Sequence, residues 1–377
     1  MTDVIKLNSN PRICFLIPTA YAAFINNIEG ARSGAEFQMA LVAQYLSEKG
    51  YNIEVVCQDK GHLVHHKSHI ADYRLLPGIS HANTVNLAIR YFMYIINNVA
   101  DIYITRMMTP LLPVYRLATR LVRKPLVFSC ASQYDVAKQF KGRNLLRFII
   151  PACRAALINC DGVVTQTKWQ KEELEINYRK ESKVISNALN IDDWKPGNSP
   201  SGSKVVWLGN IRPVKRFDRL VRIAEMCPDI DFTAIGDISD ASAHQTDYLP
   251  SNLHWVGRKG KSEVKRILQK SHILLNTSES EGFPNTILEA RALGLFTIFF
   301  RIDSLSVGFF NQQEDLGKVV DTCHDASQAI YTYLKSNDEW KNRSRKVILS
   351  WVKNYSIEIV GQKWEKLIQS IVSPNDD

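Results

Sequence analysis

The segment 278–290 combines residue types that could bind both an anion and a polyol. Its sequence, Ser-Glu-Ser-Glu-Gly-Phe-Pro-Asn-Thr-Ile-Leu-Glu-Ala, follows an apolar run that predicts a strand, so it should lie at the carboxyl edge of a sheet. Gly282 would let the backbone approach a ligand closely, and a helix starting near 283–287 would offer N–H groups to an anion. Glu281 and Glu289 could each accept hydrogen bonds from a polyol.

The spacing of Thr286 and Glu289 allows a purely structural alternative. A threonine followed three residues later by a glutamate fits a helix capping box, in which the glutamate satisfies backbone N–H groups. Spacing alone leaves both interpretations open.

A basic cluster follows the predicted strand Val205–Gly209. The sequence Gly-Asn-Ile-Arg-Pro-Val-Lys-Arg-Phe-Asp places Arg212, Lys215 and Arg216 at the start of a predicted helix. Positive charge is unfavourable there unless an anion lies nearby, because the helix dipole is positive at that end. Arginine forks and a lysine ammonium suit a diphosphate. The alternative is a solvated basic turn.

A third segment, Gly30-Ala-Arg-Ser-Gly-Ala-Glu36, lies between the first predicted strand and the first predicted helix. Glycine at this place permits close approach of a phosphate or a sugar. The GxGxxG spacing is absent, so the segment does not indicate dinucleotide binding.

Four histidines could suggest a metal site, but their spacing does not support one. His62, His65, His66 and His69 lack a zinc-ligand pattern and fall in a polar stretch. An exposed loop or helix face is the preferred interpretation. We expect no metal and no bound cofactor.

Strand-like apolar runs alternate with helical patterns along the chain, which predicts an α/β fold with parallel sheets. The alternation restarts after a linker rich in Asp, Pro, Gly and Ser at 192–203. We predict an N-terminal Rossmann-like domain at 1–190, a second one at 191–355, and a final helix within 356–377. A cleft between the two domains would be the default ligand site.

The positive charge of the chain is concentrated in its first half. The 377 residues carry a net charge of +9, and residues 1–200 hold 24 Lys or Arg against 16 Asp or Glu. Residues 101–150 alone hold nine basic and two acidic residues. An anionic membrane or acidic acceptor would fit this charge, and nucleic acid is not expected because no binding motif accompanies it.

Basic and apolar residues interleave at the end of that basic window. This pattern suits an interfacial membrane helix, and an ordinary solvated face is the alternative. The residues of this predicted membrane or acceptor face are Lys138, Lys141, Arg143 and Arg147.

Other features predict a cytoplasmic protein. The first residues lack the apolar core of a signal peptide, and no apolar run is long enough to span a membrane. The seven cysteines have no CxxC pairing, which indicates buried reduced thiols. We predict a cytoplasmic chain, peripheral on the inner face of the cytoplasmic membrane.

Taken in order, these motifs resemble glycosyltransferase family 4, whose members are retaining GT-B enzymes. Glu281 and Glu289 are separated by seven residues, as in the family's E-x7-E signature, with Gly-Phe-Pro-Asn between them. Ser33-Gly-Ala-Glu36 resembles the family's Gly-Gly-Ala-Glu, and Ala234-Ile-Gly-Asp237 resembles a strand on its nucleotide side. The resemblance covers nearly the whole chain.

The resemblance implies a role for each matched residue. Glu281 would face the donor sugar, Glu289 would bind the ribose, and Lys215 with Arg212 would neutralise the diphosphate. Gly34 would lie against the donor phosphates, and the last helix would cross back onto the N-terminal domain. The donor-binding residues implied are Gly34, Asn210, Arg258, Gly282, Phe283, Pro284, Asn285, Thr286 and Glu289.

The chain departs from the family pattern at three positions. Asn210 stands where an arginine is common, Ser33 replaces the first glycine of the pair, and Ala131 stands where a histidine is frequent. A role for that histidine therefore does not transfer to this chain.

The predicted function is metal-independent, retaining transfer of a sugar from a nucleotide-diphosphate sugar to a hydroxyl acceptor. A lipid-linked or polysaccharide glycan intermediate is the expected acceptor. The alternatives are a GT-B nucleotide-sugar epimerase and a non-catalytic module that binds sugar nucleotides or membranes.

Overall fold

The computed structural model describes residues 10–18, 34–58, 66–67, 72–76, 84–138, 149–197, 204–238, 248–302 and 314–373. The chain divides into two compact units. Unit 1 contains Met1–Gln166, Gln170–Ala188 and Ile357–Asp377, and unit 2 contains Thr167–Trp169 and Leu189–Ser356. The chain thus passes from unit 1 into unit 2 after Ala188, two residues before the boundary predicted at residue 190.

Unit 1 is built on a sheet in which the described part of the chain contributes eight strands, in the order β3-β4-β2-β1-β5-β6-β7-β8. Neighbouring strands are parallel except for β3 and β4. The central β1 is almost wholly buried because parallel strands flank it on both sides. The strands are β1 Arg12–Leu16, β2 Asn52–Gln58, β3 His66–Lys67, β4 Asp72–Leu76, β5 Ile102–Arg106, β6 Leu126–Ser129, β7 Gly162–Thr165 and β8 Lys183–Val184.

Helices connect these strands, and one arrives from the far end of the chain. They are α1 Gly34–Glu48, α2 Thr84–Asn97, α3 Leu112–Leu121, α4 Ile150–Ile158, α5 Lys168–Tyr178 and α11 Ile357–Val372. Helix α11 packs against α1. A Cβ on Gly361 would lie 2.5 Å from the ring of Tyr45, so only glycine permits this close approach.

Unit 2 is built on a parallel sheet with the order β11-β10-β9-β12-β13-β14 among the strands that the structure describes. The adjacent strands β10, β9 and β12 end at the same edge of the sheet. Their following loops therefore gather there. The strands are β9 Val205–Leu208, β10 Phe232–Ile235, β11 Leu253–Trp255, β12 Ile273–Asn276, β13 Phe296–Phe300 and β14 Gly317–Val320.

The unit 2 helices alternate with its strands. They are α6 Phe217–Met226, α7 Lys261–Lys270, α8 Asn285–Ala292, α9 Cys323–Lys335 and α10 Asp338–Val352. Each unit encloses an apolar core of its own. The predicted α/β fold of two Rossmann-like units is confirmed.

Two further findings bear on function. None of the helices in the described ranges combines the length and the apolarity needed to cross a membrane. All seven cysteines lie in described segments as free thiols, six of them buried and Cys323 half-buried.

Candidate functional site

Lys215 and Glu281 form an ion pair at the carboxyl edge of the unit 2 sheet. The Lys215 ammonium lies 2.5 Å from Glu281 Oε1, and the two side chains are 24% and 13% exposed. Both are thus accessible to a ligand yet shielded enough for their charges to interact strongly. Lys215 follows β9 and Glu281 follows β12, so the pair joins two of the predicted site segments.

A threonine that the sequence did not single out holds Lys215 in place. The Thr277 hydroxyl donates to the backbone oxygen of Lys215 at 2.7 Å and accepts from Trp207 Nε1 at 2.9 Å. The backbone N–H of Glu279 donates to the carbonyl of Val214 at 3.0 Å. These hydrogen bonds therefore hold the basic loop after β9 against the loop after β12.

The other two basic residues of the cluster have different surroundings from Lys215. Arg216 has a left-handed backbone with φ of 49°, and its guanidinium binds the carboxylate of Asp218 through several hydrogen bonds. Glu279 adds a second ion pair at 3.6 Å. Arg212 is exposed at the start of a short 3₁₀ turn.

Glycines allow the ends of β9, β10 and β11 to come close together. Gly236 has a φ of 150°, and a Cβ at this position would lie 1.8 Å from the carbonyl oxygen of Gly209. Its N–H donates to Gly257 at 3.1 Å. The Asn210 side chain accepts from the N–H of Asp237 at 3.3 Å, so this predicted donor-binding residue also holds the loop after β10.

The segment Gly282–Thr286 turns from β12 into α8. Gly282, Phe283 and Pro284 are buried, and Asn285 and Thr286 are half-buried. Phe283 contacts the ring of Tyr355, with centroids 5.4 Å apart.

Helix α8 begins at Asn285, directly after Pro284 as its N-cap residue, and no side chain caps it. Thr286 therefore lies inside the helix and not at its cap. The capping-box alternative for Glu289 is wrong, because proline displaces threonine from the capping position.

Glu289 is half-buried on α8. Burial raises its pKa from the ordinary 4.5 to about 7, and the positive charge of Lys261 opposes this shift. Lys261 begins α7 and was not singled out from the sequence. The predicted donor-binding residue Arg258 is exposed in the turn that precedes α7.

The remaining predicted residues belong to unit 1. Gly34 is exposed at the first position of α1. Lys138 is exposed, and its carbonyl accepts a hydrogen bond from Arg154. Lys141, Arg143 and Arg147 lie outside the described residues.

Unit 1 also contains a buried polar cluster at the carboxyl edge of its sheet. Asp135 accepts hydrogen bonds from the backbone N–H groups of Ala131, Ser132 and Met108 at 2.7–3.0 Å. Arg106 donates to the Asn187 side chain at 2.8 Å. Burial lowers the pKa of Arg106 to about 10, and the negative charge of Asp135 opposes this shift.

Metal ligands do not assemble in the part of the chain that the structure covers, since no group of three His, Cys, Asp or Glu side chains is placed to hold an ion. The geometry of unit 2 offers an ammonium, two carboxylates and the start of a helix at one sheet edge. This arrangement can bind a molecule that carries both phosphate and hydroxyl groups.

Two α/β units with largely parallel sheets and a charged site at a sheet edge are typical of the GT-B class, and comparison with known proteins agrees. Residues 190–347 match the family model "Glycosyl transferases group 1", and residues 32–193 match the model "Glycosyltransferase Family 4". The two models together span residues 32–347, so the chain is a glycosyltransferase whose first half matches family 4 and whose second half matches group 1.

Solved structures of similar fold cover almost the whole chain. Sucrose-phosphate synthase from Thermosynechococcus elongatus has a TM-score of 0.79 at 15% identity, covering 96% of this chain and 99% of that one. HepE from Anabaena in complex with UDP has a TM-score of 0.75 at 13% identity, covering 95% of this chain and 100% of that one.

A curated relative is similar in sequence over part of its length. The phosphatidylinositol N-acetylglucosaminyltransferase gpi3 subunit of Schizosaccharomyces pombe is 24% identical over 217 residues. The match covers 52% of this chain but only 45% of that protein. This chain thus spans about half the length of that relative.

Proposed function

We propose that this protein is a retaining glycosyltransferase that moves a sugar from a nucleotide-diphosphate sugar to a hydroxyl acceptor. The observation that carries the proposal is the ion pair between Lys215 and Glu281, fixed by Thr277 beside the start of α8. It supplies a cation for the diphosphate and a carboxylate for the sugar hydroxyls at one sheet edge. The Gly282–Thr286 backbone would hold the sugar and diphosphate, and Glu289 would accept from the ribose hydroxyls.

In the proposed reaction the bond between the anomeric carbon and the β-phosphate oxygen breaks. The acceptor oxygen forms a bond to the same face of that carbon, and its proton passes to the leaving phosphate. The Lys215 ammonium would neutralise the charge that develops on the diphosphate, together with Arg212 and the start of α8. Since Lys215 and the start of α8 are fixed before the reaction, the chain would need no metal ion for this purpose.

A lipid-linked or polysaccharide glycan intermediate is the proposed acceptor. The yeast relative is named for transfer to phosphatidylinositol, and the basic charge of residues 101–150 would favour an anionic acceptor or membrane. We propose a cytoplasmic location, peripheral on the inner membrane face, with Lys138, Lys141, Arg143 and Arg147 on the acceptor side.

A nucleotide screen tests the donor assignment. The thermal unfolding temperature of the full chain is measured with UDP, GDP and ADP and with their sugar conjugates, and the matching nucleotide should raise it by mass action. Glu281→Gln should lose more of the stabilisation by the sugar conjugate than of that by the bare diphosphate. Equal losses of both would contradict the assignment of Glu281 to the sugar.

A product assay tests the chemistry. With the identified donor and a lipid extract as acceptor, NMR of the product should show the same anomeric configuration as the donor. Turnover should survive EDTA. A product of inverted anomeric configuration would contradict the retaining mechanism. A loss of turnover in EDTA that Mn²⁺ restores would contradict metal independence. Conversion of the donor without any acceptor would favour an epimerase.

A further inference from the structure

Helices α2 and α3 of unit 1 expose a row of large apolar side chains to solvent. Val85, Ile89 and Met93 follow one another at intervals of four along α2, and Leu117 and Leu121 do the same on α3. Their exposed fractions lie between 49% and 66%. We define the α2–α3 face as these five residues together with Arg90, Arg120 and Arg123.

The packing between the two helices directs this face outward. Tyr91 of α2 and Tyr115 of α3 meet edge to face with ring centroids 5.1 Å apart, and both are fully buried. The side chains on the opposite sides of the two helices must therefore point away from the core. The exposure of the apolar row follows from the fold and is not a local irregularity.

The charged residues of this region are almost entirely basic. Neither α2 nor α3 contains an Asp or Glu, and residues 84–124 hold six Lys or Arg, of which only Arg106 is buried, against the single acid Asp101. Arg120 and Arg123 are exposed. They line a pocket of about 510 Å³ together with Arg116, Lys124 and one acid, Asp161, which pairs with Arg116 at 3.1 Å. Lys124 pairs with Asp101 at 2.9 Å, so Arg120 and Arg123 give the pocket its excess of positive charge, which suits the phosphate of a lipid head group.

We propose that the α2–α3 face binds the surface of an anionic phospholipid bilayer, with its apolar side chains entering the boundary between head groups and acyl chains. Apolar side chains flanked by arginines form the pattern of an interfacial helix. This face shares no residue with the basic segment 138–147. The proposal extends the proposed membrane acceptor, but lipid binding by this face does not depend on the transfer reaction.

Charge argues against a second copy of the chain as the occupant. A symmetric dimer would place the same surface of each copy against the other. The arginines of the two copies would then face one another in a region with few acidic residues, whereas an anionic bilayer complements them.

The test measures sedimentation of the full chain with vesicles of phosphatidylcholine mixed with phosphatidylglycerol, and with vesicles of phosphatidylcholine alone. Only the anionic vesicles should bind the protein strongly. Binding should weaken as salt rises from about 0.1 M to 1 M, because the Debye length falls from about 10 Å to 3 Å.

Substitutions locate the binding surface. The variant Arg120→Gln with Arg123→Gln should weaken binding about 25-fold, at about fivefold for each charge. The variant Ile89→Ser with Leu121→Ser should weaken it by about tenfold or more. The matched control is Ile176→Ser with Lys171→Gln on α5, which also changes exposed apolar and basic residues of unit 1 and should change nothing. Unfolding temperatures should stay within a few degrees of that of the unaltered chain, since all of these side chains are exposed.

Three outcomes would overturn the proposal. Absence of vesicle binding at low salt would contradict it directly. Vesicle binding would be assigned to the segment 138–147 instead if it were lost only on replacement of Lys138, Lys141, Arg143 and Arg147. A dimer in sedimentation equilibrium that Ile89→Ser with Leu121→Ser abolishes would make the face a protein interface. Because nucleotide binding is measured separately, failure here would leave the transferase proposal intact.

Discussion

Units 1 and 2 are both parallel α/β structures, yet they present different chemistry to their surroundings. Among the described residues, eleven of the thirteen exposed large apolar side chains belong to unit 1, and only Met226 and Tyr248 belong to unit 2. The sheet edges differ as well. In unit 2 the charged groups Lys215 and Glu281 are partly accessible, whereas in unit 1 Arg106 and Asp135 are buried.

We infer from this difference that the two units would bind different kinds of ligand. A small polar ligand needs charged groups that are fixed but reachable, and the loops of unit 2 provide them. A broad surface needs exposed apolar area with charge around it, and the helices of unit 1 provide that. The following predictions test this division, from the largest expected effect to the smallest.

Gly236→Ala should disrupt the carboxyl edge of the unit 2 sheet, where the proposed site lies. A Cβ 1.8 Å from a backbone oxygen cannot be accommodated by moving a side chain, so we expect a loss of more than about 4 kcal/mol in the free energy of unfolding. Urea denaturation measures it. Gly257→Ala is the matched control, because its left-handed backbone is strained by about 1–2 kcal/mol but its Cβ would meet nothing within 4 Å. If both variants lost the same free energy of unfolding, the close approach of Gly236 to Gly209 would not be required for stability.

Lys215→Ala should lower kcat by about 100- to 1000-fold, the usual effect of removing one preorganised electrostatic group. Binding of the nucleoside diphosphate should also weaken. Steady-state kinetics and calorimetry measure these effects. Lys346→Ala controls for loss of a lysine, since Lys346 is exposed on α10 of the same unit. Unchanged turnover in Lys215→Ala would rule out the phosphate assignment.

Thr277→Val should cost about 1–3 kcal/mol of stability, because it leaves the buried Trp207 indole N–H without its acceptor. It should also lower kcat, since Lys215 loses its anchor. Thr277→Ser keeps the hydroxyl and should restore most of both. If valine lowered stability but left kcat intact, Thr277 would support the fold alone and would not position Lys215.

Glu289→Gln should remove a pH dependence of the stability of the folded chain. The pKa of Glu289 in the folded chain is about 7, above the ordinary 4.5, so the folded state holds a proton that the unfolded state has lost between these values. The stability from this group is thus complete below about pH 4.5 and is lost as pH rises through 7.

Donor binding should show the opposite trend, because an ionised carboxylate is the stronger acceptor for ribose hydroxyls. Affinity should rise, by less than about tenfold, as pH rises through 7, and the Gln variant should flatten both curves. A pH dependence that persists in Glu289→Gln would assign it to another group. Titration calorimetry and thermal unfolding between pH 5 and pH 9 distinguish these cases.

The sequence predicts the strands of unit 2 and the residues that follow them because these signals are local. A strand that ends in glycine and is followed by basic residues points to Lys215, and a glycine between two glutamates points to Glu281. The link between them could not be predicted, since Thr277 is a single hydroxyl after a strand and its partners are distant in sequence. The sequence also left the first residue of α8 undetermined, and the structure places Pro284 at its N-cap.

Unit 1 was less predictable because α2 is apolar on more than one side. Tyr91 and Ile95 are buried, whereas Ile89 and Met93 are exposed. Periodicity alone does not tell which row faces the core, because that depends on the contact between α2 and α3. The sequence therefore located an excess of positive charge but not the apolar row beside it.

The return of α11 to unit 1 has a consequence for the thermodynamics of the chain. Apart from Thr167–Trp169, unit 2 is one continuous insertion between Ala188 and Ile357, and its two ends meet where the N–H of Leu189 donates to the carbonyl of Tyr355 at 2.9 Å. If unit 2 unfolded, closing so long a loop would cost about 4–5 kcal/mol of chain entropy. A folded unit 2 therefore acts as a short tether that raises the effective concentration of α11 beside α1. A ligand that stabilises unit 2 would, through connectivity alone, help to keep the last helix of unit 1 docked.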